Sequence, residues 1–148
     1  MDLRGVIQQY LSELQMMALG TSKNNQPWVT TVYFAYDANL NLYWLSDPQK
    51  RHSQEIEKNS KVAGAFVTPH LYGQKVRGLR FEGEARLLND GDSENGVIVY
   101  KSRFWVVEDR AKSHDGSNAI YCYQIVPKAF YLLDEINFPD NPSQVLHL

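Results

Sequence analysis

The sequence predicts a mainly β domain, an antiparallel barrel of about six strands with a few short helices added. Residues 77–87 alternate with period two: Leu79, Phe81, Ala85 and Leu87 fall on one face, Arg80, Glu82, Glu84 and Arg86 on the other. That alternation marks a half-buried antiparallel strand and argues against a doubly wound parallel sheet. Much of the remaining chain consists of short runs of β-branched and aromatic residues separated by turn formers, as an all-β barrel requires. At 148 residues, 43% hydrophobic and 22% charged, the chain is expected to form one globular domain over residues 1–148.

The elements follow in order. Leu3, Val6, Ile7, Tyr10, Leu11 and Leu14 recur at helical spacing and predict an amphipathic first helix whose stripe packs on the core. Ala18-Leu19-Gly20-Thr21 leads into a polar turn, Lys23-Asn24-Asn25-Gln26-Pro27. Trp28 to Phe34 is dense in strand formers. Asp37-Ala38-Asn39 turns the chain into a second strand, Leu42 to Ser46. Asp47 and Pro48 suit the cap and first position of a helix running to about Lys58. Val62 to Val67 is the third strand and residues 77–87 the fourth, with Gly83 marking a bulge, a bend or a close backbone approach. A helix over Ser93 to Arg103, capped by Ser93, precedes a polar loop, Ala111 to Asn118. Ile120–Ile125 and Ala129–Leu133 are expected as two strands divided by Val126-Pro127-Lys128. Pro139-Asp140-Asn141-Pro142 should break regular structure.

Composition and motif spacing remove several classes. With 15 basic and 17 acidic side chains and a net charge of −2, the chain lacks the basic excess of a general nucleic-acid binder. No apolar run approaches the roughly 20 residues needed to cross a bilayer, so no membrane is expected as a partner. A single cysteine, Cys122, permits no internal disulfide, and the start of the chain does not lead into a signal-like apolar stretch; a cytoplasmic setting is expected. Neither nucleotide-binding glycine fingerprint is present. The histidines lack HExxH spacing and one cysteine cannot supply a CxxC zinc site, so no metal is expected. Asp90-Gly91-Asp92-Ser93-Glu94 departs from a calcium loop, with Lys101 at the twelfth position, and reads as a turn with a helix cap. No spacing marks a hydrolase triad.

The informative segment is Ser46-Asp47-Pro48-Gln49-Lys50-Arg51-His52-Ser53, at a strand-to-helix junction. Cations in a first helical turn oppose the macrodipole, typically by 0.3–1 kcal/mol each. An anion resolves that conflict, because free amides, a hydroxyl and basic side chains can converge on a phosphate. The alternative is a solvated basic turn partly balanced by Glu55 and Glu57.

The order of strand Trp28–Tyr36, turn, strand Leu42–Ser46 and then Lys50-Arg51-His52 resembles the pyridoxamine 5′-phosphate oxidase-like, FMN-binding split-barrel family. The strand Arg77-Gly78-Leu79-Arg80-Phe81-Glu82-Gly83-Glu84-Ala85 resembles that family's later strand with its fixed glycine, and Ile136-Asn137-Phe138-Pro139-Asp140-Asn141 is similar to the ending of a small bacterial branch. The resemblance implies a six-stranded split barrel and FMN as cofactor. It places Ser46, Arg51 and His52 on the FMN phosphate, with Lys50 where the oxidases often have serine. It sets Val29, Thr30, Thr31 and Val32 along the isoalloxazine ring and Arg77 and Gly78 where the oxidases carry Arg-Gln. His52 replaces the usual lysine, which makes phosphate binding more dependent on pH.

The oxidases end in a Trp- and Arg-containing segment that binds the pyridoxine phosphate substrate. This chain ends Pro142-Ser143-Gln144-Val145-Leu146-His147-Leu148, so vitamin B6 oxidation is not implied. What is implied is a homodimer with cofactor sites at its interface, where Trp105 is a candidate lining residue, and flavin-dependent oxidoreduction of a small molecule. A non-catalytic stress-response or binding module on the same fold is the rival. The same cleft could instead take haem or a deazaflavin. The sequence assigns no catalytic residue.

Overall fold

The computed structural model describes residues 2–104 and 121–148. In chain order it contains α1 (Leu3–Glu13), β1 (Met16–Lys23), β2 (Gln26–Tyr33), β3 (Ala35–Tyr36), β4 (Leu42–Ser46), α2 (Arg51–Lys58), β5 (Lys61–Phe66), β6 (Arg77–Leu87), α3 (Asp90–Lys101), β7 (Tyr121–Asp134) and β8 (Ser143–His147). The strands form one antiparallel sheet, ordered β2-β1-β5-β6-β7-β4-β3 with β8 beside β7. The predicted class holds, but the described residues carry eight strands rather than six.

Three observed strands lie beyond the expected set, β1, the two-residue β3 and β8, while two expected strands merge into β7. Met16–Lys23 is weak in strand formers, yet it pairs with β2 on one side and β5 on the other. Asn24 and Asn25, with φ of 52° and 62°, make the two-residue turn that joins it to β2. Two left-handed residues in a row give the turn whose twist matches a hairpin. The chain does break at residues 139–142, but it then returns as β8 against Ala129–Leu133.

The sequence expectation of two strands around Val126-Pro127-Lys128 is corrected to one long β7 with a bulge. Glu82 faces Ala129 and Gly83 faces Pro127, which leaves Lys128 as the extra residue. Proline is tolerated there because a bulge does not need its missing N–H. Gly83 is required opposite it: a Cβ would lie 2.4 Å from the Val126 carbonyl oxygen. Of the alternatives expected at Gly83, the close backbone approach is at Gly83 itself and the bulge lies opposite it on β7. On its other side β7 pairs first with β4 and then with β8.

Both later helices begin away from their predicted caps. The Asp47 carboxylate accepts from the Gln49 amide at 2.8 Å and shapes a turn, so α2 starts only at Arg51. α3 starts at Asp90 and buries Gly96 and Tyr100, whereas Ile98 points to solvent at 65% exposure.

Trp44, Tyr10, Phe34, Phe81 and Phe130 fill the core, joined by Val6, Ile7 and Leu11 of α1 as its stripe predicts. Arg103 fastens the C-terminal end of α1: its guanidinium donates to the carbonyls of Leu11 at 2.9 Å, Ser12 at 3.4 Å, Phe34 at 3.1 Å and Leu14. The Ser12 and Leu14 carbonyls are groups the helix end leaves without intrahelical partners, whereas Leu11 also accepts from the Leu14 amide and Phe34 lies between β2 and β3. Trp105 and the loop at 111–118 lie outside the described residues.

Candidate functional site

Ser46 ends β4, where pairing with Tyr121 of β7 fixes it, and the turn at 47–50 brings α2 back over it. The Ser46 hydroxyl lies 2.8 Å from His52 Nε2 and accepts from Ser53 Oγ at 3.2 Å. The Ser46 hydroxyl also donates to the Asp47 carbonyl at 3.5 Å, and the tautomer of His52 decides whether Nε2 donates to Ser46 or accepts from it. Burial is the main force lowering the His52 pKa; neighbouring Lys50 adds to the effect and Glu55 opposes it. Both Ser46 and His52 are buried. Lys50 is exposed at the N-cap of α2 and makes no side-chain cap there, so the first amides of the helix have no side-chain acceptor.

Arg51 is braced. Its Nε donates to Glu55 Oε2 at 2.8 Å, and its guanidinium lies 4.0 Å over the Trp28 ring. Glu55 is 5% exposed and also accepts from Thr21 Oγ1 at 2.9 Å. The Arg51 hydrogen bond, first among the causes, holds the Glu55 carboxyl below the usual carboxylate range. Trp28, Thr21, Ser53 and Glu55 are thus site residues that sequence reasoning did not assign. Ser53 lay within the basic segment and Glu55 was read as its counter-charge, whereas nothing in the sequence tied Thr21 or the Trp28 ring to Arg51 and Glu55.

Val29, Thr30, Thr31 and Val32 all lie on the edge strand β2, but the pleat divides them. Thr30 and Val32 face Leu19 and Met17 of the interior, while Val29 and Thr31 stand with Gly20 and Ala18 on the outer surface. That surface carries a cleft of about 770 Å³, lined among others by Gly20, Trp28, Val29, Ala63, Gly83 and Pro127.

Arg77 and Gly78 lie elsewhere. Arg77 aligns with Asp134 at one end of β7 and Ser46 with Tyr121 at the other. Thirteen steps of about 3.3 Å separate them along that strand. Within one chain Arg77 instead lies 3.8 Å from Glu13 and 3.9 Å from Asp134, above the Tyr10 ring. Gly78 faces open space. The chain therefore brings together Ser46, Lys50, Arg51 and His52 and sets Arg77 and Gly78 apart.

Among the described residues no cluster of histidine, cysteine, aspartate or glutamate could hold a metal ion, and no helix is long and apolar enough to cross a membrane.

A curled antiparallel sheet, short helices and a basic strand-to-helix junction define a split-barrel protein. A family model described as pyridoxamine 5′-phosphate oxidase matches residues 3–125, and the chain belongs to that family. UPF0306 protein YhbP of Salmonella paratyphi B is 26% identical over 144 residues, spanning 95% of this chain and 87% of YhbP. UPF0306 protein PM1958 of Pasteurella multocida is 25% identical over 96 residues, 64% of each chain, so less than two thirds of that relative is spanned. Three solved structures share the fold at low identity. General Stress Protein 26 of Bacillus anthracis matches at a TM-score of 0.72 and 20% identity, covering 100% of both chains. The heme storage protein HutZ of Vibrio cholerae matches at 0.69 and 19%, covering 86% of this chain and 91% of HutZ. A FAD-binding protein of Mesorhizobium loti matches at 0.65 and 19%, covering 84% and 87%.

Proposed function

We propose that this protein binds FMN and works as a flavin-dependent oxidoreductase on a small molecule, as a homodimer. The phosphate sits at the junction of Ser46, Lys50, Arg51 and His52, and the ring lies along Val29–Val32 of β2. The observation that carries this reading is the start of α2. Its amides lack a side-chain cap and Lys50 and Arg51 stand beside them, an arrangement that an anion completes. The flavin supplies the redox chemistry when bound. The residues here bind and orient it. Family membership and a FAD-binding protein of the same fold support a flavin. Arg77 and Gly78 join the site from the second copy.

The test must respect the Arg51–Glu55 pair. Arg51→Glu would set a second carboxylate against a buried one, so lost FMN binding could reflect a damaged helix. Arg51→Gln keeps a hydrogen-bond donor for Glu55 and removes the cation. FMN affinity should fall about 10- to 150-fold, equivalent to about 1.5–3 kcal/mol, with riboflavin affinity almost unchanged. Paired titrations of FMN and riboflavin on both proteins, with circular dichroism to check the fold, decide it. Equal FMN affinities would reduce the cluster to a solvated turn.

One observation favours the rival, a non-catalytic binding or stress-response module. Arg51 already has partners in Glu55 and Trp28 without any ligand, and General Stress Protein 26 has the same fold. The visible spectrum of the purified protein, before and after adding FMN, separates the two readings. It also distinguishes haem, which the heme storage neighbour brings into view.

A further inference from the structure

We infer that Tyr123 is a one-electron donor built into the barrel: a radical oxidant takes its electron, and its phenolic proton passes through Ser53 and Ser46 to His52, with Trp44 stacked behind it. The inference goes beyond the reading above and needs no flavin.

A tyrosine gives up an electron readily only when its proton leaves as well, because the radical cation is a strong acid. A redox-active tyrosine therefore needs a base within reach, directly or through hydroxyls that pass a proton along. Tyr123 has such a route. Its phenol shares a hydrogen bond with Ser53. Ser53 Oγ donates to Ser46 Oγ at 3.2 Å, and Ser46 Oγ lies 2.8 Å from His52 Nε2. All four residues are buried. Burial raises the Tyr123 pKa and the Ser53 hydrogen bond works against it, so the phenol keeps its proton until the electron goes.

Trp44 is the other half of the pair. It faces Tyr123 across β4 and β7, with ring centroids 5.2 Å apart and planes 20° from parallel. The ring is wholly buried, and its Nε1 has no hydrogen-bond partner among the described residues. Nothing there takes an indole proton, so a hole on Trp44 remains a cation in an apolar core, which is unfavourable. Across the stack, Tyr123 can shed its charge to the imidazole. The hole settles on Tyr123.

Two other buried phenols are placed differently. Tyr10 donates to Thr68 at 3.4 Å, and Thr68 donates to the Arg77 carbonyl, which is too weak a base to keep a proton. Tyr43 donates to Asp37, a carboxylate that already accepts from the Asn39 and Asn41 amides and the Asn41 side chain.

The oxidant gains one electron and the Tyr123 O–H bond breaks. Ser53 receives that proton and passes its own to Ser46, which passes its own to Nε2. The products are a neutral tyrosyl radical, an imidazolium and the reduced oxidant. Nε2 starts without a proton, in the tautomer that accepts from Ser46. A one-electron reductant of the ascorbate class then restores the electron, and the imidazolium returns the proton by the same route. Exposed phenols such as Tyr33 and Tyr72 would otherwise hold the hole where it can couple to another chain.

Azidyl radical, made from azide by pulse radiolysis, serves as the oxidant in the test. In the unaltered protein a tryptophanyl signal should convert to a long-lived tyrosyl signal, more slowly in deuterated solvent, with little dityrosine cross-linking between chains. Tyr123→Phe keeps the stacked ring and removes the O–H. The long-lived tyrosyl signal should be lost and dityrosine should rise. Ser53→Ala keeps the phenol and cuts its route, and the same conversion should be lost. Circular dichroism checks that each variant folds. An unchanged tyrosyl lifetime in Tyr123→Phe would overturn the inference. An unchanged conversion in Ser53→Ala, or none of the slowing in deuterated solvent, would overturn it equally.

Discussion

Asp134 is fully buried and charged, and its neighbours explain how. Burial raises its pKa, but amide donors from Ile136 and Asn137 at 2.9 Å, Asn137 Nδ2 at 2.6 Å and the nearby Arg77 outweigh that and hold it below the usual value. A carboxyl depressed in the fold stabilises it fully above the ordinary carboxylate range and loses that contribution as pH falls through the folded-state value. Asp134→Asn should therefore cost about 1–3 kcal/mol at neutral pH and flatten the acid limb of stability, as urea unfolding at pH 7 and pH 3 would show. His52 has the same sign by another route. Its folded pKa lies below the ordinary 6.5, so on acidification the unfolded chain takes up a proton that the fold refuses. Stability should decline as pH drops below 6.5 until the folded value is passed, and His52→Gln should remove that slope between pH 8 and pH 5.5. The sequence showed Ser46, Lys50, Arg51 and His52 as one group because they are neighbours in the chain. It could not show Thr21 reaching Glu55, 34 residues away, or Trp28 beneath Arg51, because those contacts exist only once the sheet has placed β1 and β2 against α2.

At the scale of elements, local chemistry was legible where one periodicity acted alone. The stripe of α1 and the alternation of β6 were plain for that reason. β1 was hidden because its strand state comes from two neighbours and not from its own residues, although Asn24-Asn25 is a hairpin signal in its own right. Pro127 suggested a break in β7 because a proline is expelled from a regular strand; the bulge that admits it is visible only in the pairing with β6. Asp47 was read as a helix cap since its short-range bonding preference is the same in a turn. The bulge gives an element-scale prediction. Gly83→Ala forces a Cβ against backbone atoms of Val126 and Pro127, which cannot swing aside as a side chain would. We expect a loss of about 1–3 kcal/mol and a lower Tm in a thermal melt, without change of fold class.

At the scale of the whole molecule, Val29, Leu71 and Tyr72 are exposed large apolar side chains, and the proposed homodimer would cover some of that surface. Light scattering at micromolar concentration should return twice the 17.0 kDa chain mass. The long strand β7 has a further consequence, in the time domain. It lies between β6 on one side and β4 and β8 on the other, so its paired amides can be released only by parting several strands together. β2, by contrast, is held along one edge. In deuterated solvent the backbone protons of Tyr121–Ile125 and Ala129–Leu133 should be the last to exchange, at the rate of global opening. Those of β2 should go earlier, and a bound partner copy should slow them. The barrel thus has a slow keel and a fast rim, and the cleft reaches from one to the other.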